Sequence, residues 1–337
     1  MEPLNDKPTL LVITNIESID SLYERLENKF QIIYAPDATV EDLKNLSIST
    51  KNKVKAIFTN PNKSKVKFDS HIIDFFKNII VICTASTGTV HIDKNYCNSK
   101  NIKILSLKDE IKVLENVSST AELAFTFLLI GFRNIIGSIN DVKNNNWDCD
   151  KFIGRQINHL KIGIIGYGRL GKMFAKYAKA FGATIYVYDP YITFDLTANE
   201  FVPVNHINDM CNEVDCISIH VHASNETSNM VNENFLKKCK SNILIINTSR
   251  GEIVNEIDML KFLKKNKDAR YFTDVIADEI LNRSRSPIYL SFINGELNNQ
   301  VLITPHIGGM TSDARYIAYH RSVDLLENFY ETKQKKA

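Results

Sequence analysis

The sequence predicts two doubly wound α/β domains. Short β-branched runs alternate with amphipathic stretches along nearly the whole chain, which at 337 residues is long enough for two domains with real cores. The runs fall into two series, separated by one long helical pattern. Alternation of this kind builds a parallel sheet with helices on both faces.

In the first series "TLLVIT" (9–14), "QIIYA" (31–35), "VKAIFT" (54–59), "IIVICT" (79–84) and "IKILSL" (102–107) read as strands, with helices over 18–29 and 68–77. The long helical pattern spans about 117–140, and "STAE" near its start has the form of a capping box. The second series is "KIGIIG" (161–166), "TIYVYD" (184–189), "CISIH" (216–220), "ILIIN" (243–247), "RYFTDVI" (270–276) and "QVLIT" (300–304). A last helix is expected over 311–330, before a basic tail at Lys333, Lys335 and Lys336.

Composition narrows the function. A net charge of +2 with 24% charged residues gives no global basic field for nucleic acid. The N-terminal stretch "MEPLNDKPTLLVIT" lacks the basic and long apolar regions of a signal peptide. The apolar run "LAFTFLLIGF" (123–132) is too short to span a bilayer and reads as a buried helix. The six cysteines show no CxxC and no metal-ligand spacing, so no metal site is expected. Reduced thiols in a cytoplasmic protein are the expectation.

Within 161–190, Gly166, Gly168 and Gly171 spell G-x-G-x-x-G. The motif follows a strand, opens a helix, and is followed by a second strand ending in Asp189, eighteen residues after Gly171. That context is what a dinucleotide cradle requires. Gly166 allows the tight turn, Gly168 lets backbone approach a pyrophosphate, and Gly171 lets helix and strand pack closely. The helix N-terminus adds free N–H groups and partial positive charge. Asp189 is placed to accept from both ribose hydroxyls and to repel a 2′-phosphate, which favours NAD over NADP. Arg169, with Leu170 inside the motif, is within reach of the pyrophosphate.

Hydride chemistry on a carbonyl needs a cation for the substrate, a group that exchanges a proton with the alcohol, and a partner for that group. Arg250 follows the strand at 243–247, Asp274 and Glu279 follow 270–276, and His306 in "TPHIGG" follows 300–304. The carboxyl ends of parallel strands are where such folds bind ligands.

With these residues in place the chain resembles the D-isomer-specific 2-hydroxyacid dehydrogenases. The similar stretches are "STGTVHID" (86–93), "STAELAF" (119–125), "GIIGYGRLGKM" (163–173), "YDP" (188–190), "SIHVHASNET" (218–227), "INTSRGEIVNE" (246–256), "DVIADE" (274–279) and "TPHIGG" (304–309), over about residues 50 to 320. The resemblance implies a flavodoxin-like substrate domain of residues 1–113 and 306–337, with a Rossmann NAD-binding domain of residues 114–305 inserted into it. His306 would stand where the chain leaves the NAD-binding domain, with Gly308 and Gly309 allowing a sharp turn. It implies that Arg250 binds the substrate carboxylate and carbonyl, that His306 is the general acid/base, and that Glu279 pairs with His306. Backbone N–H groups near Ser86, Thr87 and Gly88 would hold the carboxylate. Asp274 would bond the nicotinamide carboxamide, and His220, Thr227 and Thr248 would complete the cofactor site. Histidine suits the proton transfer because its ordinary pKa of about 6.5 lies near working pH. A planar carboxylate matches the arginine fork, which lysine lacks.

The sequence departs from the family's habit at Ile280, where proline is common, at His91, where asparagine is common, and at His222, where proline is common. None removes a catalytic group. The loop 59–67 offers Lys63 to an anionic substrate tail. The arginine that phosphoglycerate-type members carry near here is Thr59 or Asn60, which weakens a 3-phosphoglycerate reading. The chain ends just after its last helix, so the resemblance implies neither a C-terminal regulatory domain nor serine feedback through one. It implies a homodimer through the NAD-binding domain; the apolar stretch 121–136 with Trp147 offers a contact surface, though a core helix would read the same. Two other readings fit the motifs: a non-catalytic NAD-binding partner protein of the corepressor type, and a formate or phosphite dehydrogenase.

Overall fold

The structure, a computed structural model, describes residues 7–61, 66–193, 201–279, 282–297 and 299–335. Its strands, all pairing in parallel, are β1 (Thr9–Val12), β2 (Gln31–Tyr34), β3 (Val54–Thr59), β4 (Val81–Thr84), β5 (Lys103–Leu105), β6 (Lys161–Ile165), β7 (Thr184–Tyr188), β8 (Val202–Pro203), β9 (Cys216–Ile219), β10 (Leu244–Asn247), β11 (Arg270–Thr273) and β12 (Val301–Ile303). The helices are α1 (Leu22–Lys29), α2 (Val40–Asn45), α3 (Ile48–Lys53), α4 (Ser70–Ile73), α5 (Lys94–Ser99), α6 (Ile111–Leu114), α7 (Ser119–Arg133), α8 (Ile135–Lys143), α9 (Arg169–Ala180), α10 (Glu233–Leu236), α11 (Glu256–Lys265), α12 (Pro287–Ile293) and α13 (Ser312–Gln334).

The chain divides into two compact units, Met1–Val117 with Thr311–Ala337, and Ser118–Met310. The boundaries expected from the resemblance, 113/114 and 305/306, lie a few residues earlier. At the second boundary the reason is local. Asp274 takes the backbone N–H groups of Ile307 and Gly308, which keeps the chain to Met310 with the second unit.

The first unit has strand order β2-β1-β3-β4-β5, the flavodoxin-type order. Its central strands β1, β3 and β4 are buried on both faces. Leu10, Val12, Phe58 and Val81 form one core with α1 and α13, and Leu11, Ile13, Ile57 and Ile82 form the other. This is why the strands read as continuous apolar runs and not as alternating ones. The C-terminal helix α13 belongs here: Tyr319, Val323 and Leu326 are buried, and the Tyr319 hydroxyl meets Thr14 Oγ1 at 2.8 Å. Cys83 is fully buried and donates to the Ser322 carbonyl at 3.3 Å. Burial pushes its thiol pKa up, so it is a packing residue.

His91 is 1% exposed and neither ring nitrogen has a hydrogen-bond partner. Burial holds its pKa at about 4 against an ordinary 6.5. It stays neutral in the fold and takes a proton once unfolded, so it leaves stability untouched above 6.5 and subtracts from it as pH falls toward 4. The slope is about 1.4 kcal/mol per pH unit. His91→Asn is expected to flatten the loss of urea resistance of the first unit over that window. Equal slopes in the two proteins would refute the assignment.

The second unit has strand order β12-β11-β10-β9-β6-β7-β8, the Rossmann order with one added strand at one edge. Two cores flank the sheet, one under α7 and α9, the other under α10, α11 and α12. The apolar run at 123–132 lies in α7, whose Ala124, Phe127, Leu128 and Gly131 are buried. A Cβ on Gly131 would come within 2.6 Å of Leu244 Cδ2, which shows how closely α7 approaches the sheet.

Three expectations change. The long helix breaks at Asn134, whose φ of 52° ends α7 and starts α8. The capping box does not form: the N-cap is Ser118, which donates to Glu122 at 2.5 Å and leaves the helix amides alone. The short edge strand β8 is extra, paired to β7 through Tyr186↔Val202 and Val187↔Pro203. Two residues are too few for a periodicity to mark.

Candidate active site

Strand β6 lies between β7 and β9, where the order of the second sheet reverses. Ligands bind at such a switch point, outside the strands' carboxyl ends. Gly166 leaves β6 with φ of 90°, and a Cβ there would press within 2.7 Å of His220 O. A Cβ on Gly171 would overlap Gly166 O. Gly168 is the N-cap of α9, and its side-chain direction is open. The turn therefore leaves room for a group to approach its backbone at the start of α9.

Asp189 is the first residue after β7 and reaches back to this turn. Its Oδ2 accepts from Tyr167 N at 2.8 Å and its Oδ1 from Tyr191 N at 3.0 Å. Each oxygen keeps acceptor capacity for a hydroxyl. Arg169 is half-buried and burial lowers its guanidinium pKa; Leu170 packs on the core beneath. His220 is half-buried, its ring against Phe174 at 5.1 Å between centroids. Its Nε2 meets Ser218 Oγ at 2.8 Å, and burial lowers its pKa to about 3, so it is neutral. Thr227 is used within its own turn, donating to His222 O at 2.6 Å and accepting from Ser224 N at 2.8 Å. Thr248, just past β10, is buried with its Oγ1 unpartnered.

The adjacent strands β10, β11 and β12 deliver the ionisable groups. Arg250 follows β10, and its guanidinium donates to Ser249 O at 2.6 Å. His306 follows β12 with φ of 55°, and its Nδ1 meets Glu279 Oε1 at 2.5 Å. Both side chains are about three-quarters buried, with relative exposures of 23% and 24%. Because Glu279 takes Nδ1, Nε2 is the ring nitrogen left outside that bond.

Asp274 builds the loop that carries His306. Its carboxylate accepts from Thr304 Oγ1 at 2.5 Å, Ile307 N at 2.7 Å and Gly308 N at 2.7 Å, while its carbonyl accepts from His306 N at 3.0 Å. Burial raises the Asp274 pKa, and the three donors work against it. Oδ1 has two partners and Oδ2 one, so a single acceptor site is left for a cofactor amide. This also corrects the expected part of the glycines. The left-handed residue is His306 itself; Gly308 matters because a Cβ would crowd Asp274 Oδ2 at 3.0 Å.

Ser86, Thr87 and Gly88 lie in the first unit, at the carboxyl end of β4. Ser86 Oγ donates to Gly88 O at 2.6 Å, and among the described residues the amides of 86–88 make no backbone hydrogen bond. Lys63 lies outside the described residues. The sequence reading missed Glu256, a buried carboxylate whose Oε1 accepts from Ala277 N at 2.9 Å. An acid in the first turn of a helix looks the same in sequence whether it faces solvent or core.

Residues 125–308 match the family described as "D-isomer specific 2-hydroxyacid dehydrogenase, NAD binding domain". The chain belongs to the D-isomer specific 2-hydroxyacid dehydrogenase family. The D-3-phosphoglycerate dehydrogenase of Methanocaldococcus jannaschii is 30% identical over 257 residues, which are 76% of this chain and 46% of that protein. That of Bacillus subtilis is 25% identical over 266 residues, 79% of this chain and 48% of that protein. The chain spans about half the length of the curated relatives it matches. Among solved structures, D-lactate dehydrogenase from Aquifex aeolicus, complexed with NAD and lactic acid, superposes with a TM-score of 0.79 at 23% identity, covering 97% of this chain and 96% of that one. NAD-dependent formate dehydrogenase from Staphylococcus aureus, in complex with NAD, gives 0.79 at 22%, covering 96% and 95%. Both likenesses show the shared fold.

NAD is the cofactor of this domain, and the cradle fits it. The open N-terminus of α9 at Gly168 suits a pyrophosphate, Asp189 suits the ribose diol, and the orphaned Thr248 hydroxyl suits a polar group entering past β10. Asp189→Asn keeps the acceptor for Tyr167 N and removes the charge. It is expected to narrow the preference for NADH over NADPH by about tenfold or more, read as the ratio of the two dissociation constants. An unchanged ratio would remove Asp189 from cofactor selection.

Proposed function

We propose that the protein is an NAD-dependent D-2-hydroxyacid dehydrogenase, acting as a 2-oxo acid reductase with His306 as its general acid/base. The observation that carries this reading is the 2.5 Å pair of His306 Nδ1 and Glu279 Oε1, beside strand ends that share a sheet with the glycine cradle. When bound, NADH supplies a hydride from nicotinamide C4 to substrate C2. Arg250 leaves its contact with Ser249 O and binds the substrate carboxylate and carbonyl through its fork. His306 gives its Nε2 proton to the developing alkoxide and takes it back in the reverse direction. Glu279 fixes the ring through Nδ1 and stabilises the imidazolium. Asp274 holds the loop that aims the histidine and offers its remaining acceptor site to the nicotinamide carboxamide.

Residues 1–113 with 306–337 serve as the substrate domain in this reading, and the amides of Ser86, Thr87 and Gly88 hold the substrate carboxylate as a nest. Lys63 is the group that would favour an anionic tail. The test is NADH consumption against glyoxylate, pyruvate, hydroxypyruvate and its 3-phosphate, and branched and sugar-derived 2-oxo acids, with NAD reduction by formate and phosphite alongside. Turnover of one 2-oxo acid supports the reading. Turnover of formate or phosphite alone would replace it, and tight NADH binding with no turnover at all would favour a non-catalytic partner protein.

We infer further that the protein is a cytoplasmic homodimer joined through the NAD-binding domain. Helix α8 buries none of its residues, and Ile136, Ile139, Val142, Trp147 and Ile153 are exposed on and just after it, Trp147 at 91%. Such a run of large apolar groups suits a second copy. Ile139→Glu is expected to shift the species in sedimentation from dimer to monomer. A wild-type monomer, or a mutant that stays dimeric, would count against this surface.

A further inference from the structure

Glu256 is the first residue of α11 and is 6% exposed. Helix capping does not require it, because Asn255 already accepts from Asp258 N at 3.1 Å. Its own Oε1 instead accepts from Ala277 N at 2.9 Å, twenty-one residues on, and its Oε2 has no partner. A carboxyl group is rarely buried without a task, since leaving water is unfavourable unless a donor replaces it. Burial raises its pKa, with the nearby Ser286 hydroxyl and the Ala277 N–H working against that.

Ala277 stands two residues before Glu279. Between them Asp278 has a φ of 55°, a conformation that a non-glycine residue keeps only when its surroundings impose it. The other side of the same stretch is closed by Gly251, where a Cβ would overlap the backbone of Ile276 and Ala277. The turn that follows Arg250 is thus seated directly on the strap that leads to Glu279. A backbone held at Ala277 fixes where the chain goes through Asp278, and so where the Glu279 carboxylate meets His306 Nδ1.

We propose that Glu256 is a positioning residue for the acid/base pair: by binding the Ala277 N–H it sets the aim of Glu279 at His306. This rests on the reading of Glu279 and His306 as that pair. Glu256 touches neither substrate nor cofactor in it.

The test uses the full chain as wild type, Glu256→Ala, Glu256→Asp and Glu256→Gln, each with Glu279 intact and with Glu279→Gln. Two quantities are read. One is the downfield proton resonance of the imidazole N–H held by Glu279, assigned by its disappearance in Glu279→Gln. The other is kcat on the 2-oxo acid that turns over, with the NADH dissociation constant. Glu256→Ala is expected to abolish the resonance and to lower kcat by about tenfold or more with NADH affinity unchanged. Its effect should vanish when Glu279→Gln is already present, because residues acting as one unit are not additive. Glu256→Gln should restore both readouts, since its amide oxygen still accepts from Ala277 N–H. Should Glu256→Ala fail to fold, Glu256→Asp, one methylene short, takes its place against Glu256→Gln.

A retained resonance with unchanged kcat in Glu256→Ala overturns the inference. So does an equal loss of kcat in both Glu279 backgrounds, which would mean general damage. A wild type that reduces no 2-oxo acid sinks the functional reading instead, and the resonance in Glu256→Ala and Glu256→Gln still decides the positioning role.

Discussion

Removing the imidazole of His306 is expected to lower kcat by about 10²–10⁴-fold while NADH binds as before. The choice of variant matters. His306 sits at a φ of 55°, where alanine is strained and asparagine is tolerated. His306→Asn therefore deletes the proton donor with the least disturbance to the backbone bonds from His306, Ile307 and Gly308 to Asp274. His306→Ala should show a similar loss of kcat, plus some loss of thermal stability. Steady-state kinetics and NADH fluorescence titration separate the two effects. If His306→Asn reduced the 2-oxo acid within a few-fold of the wild-type rate, proton transfer by His306 would be wrong, whatever the substrate.

Arg250→Lys is the second large effect. Lysine keeps the positive charge but offers no planar fork, so it cannot hold a carboxylate by two parallel bonds. The lost bond would be charge-assisted and would lie at the carboxyl end of β10. Truncating such a contact costs about 2–5 kcal/mol, roughly 30- to 4,000-fold in kcat/KM. KM for the 2-oxo acid should rise and kcat should fall, because in the proposed mechanism the same guanidinium meets both the carboxylate and the carbonyl that becomes an alkoxide. The Arg250 carbonyl, which Asn247 grips at 2.9 Å, holds the nearby loop in either variant, and the guanidinium adds only its local bond to Ser249 O. The melting temperature should therefore stay near that of the wild type. A lysine variant with unchanged kcat/KM would show that carboxylate recognition lies elsewhere.

The legible parts of this protein are those with local rules. Both series of strands are apolar on two faces, so they stand out as runs such as "TLLVIT" and "KIGIIG", and the helices between them have no alternative partner but the sheets. The cradle is legible because two of its three glycines are fixed by an immediate constraint: Gly166 by its positive φ, Gly171 by the Gly166 carbonyl. Less legible were features set by one torsion or by a pairing with no periodicity. Asn134 splits the long helix through a single left-handed residue, and β8 is too short to announce itself.

By itself the sequence determined the two parallel sheets, the nucleotide cradle with its acidic ribose partner, and which ionisable residues follow β10, β11 and β12. Tertiary structure alone decided which of those groups meet. Glu279 and His306 are twenty-seven residues apart and share a hydrogen bond only because β11 and β12 are neighbours in the sheet. Asp274 holds the His306 loop, and Glu256 the strap before Glu279, because burial removed water and left backbone N–H groups that needed an acceptor. Composition and spacing carry no record of that need. It arises when separate strand ends close around the same dry volume.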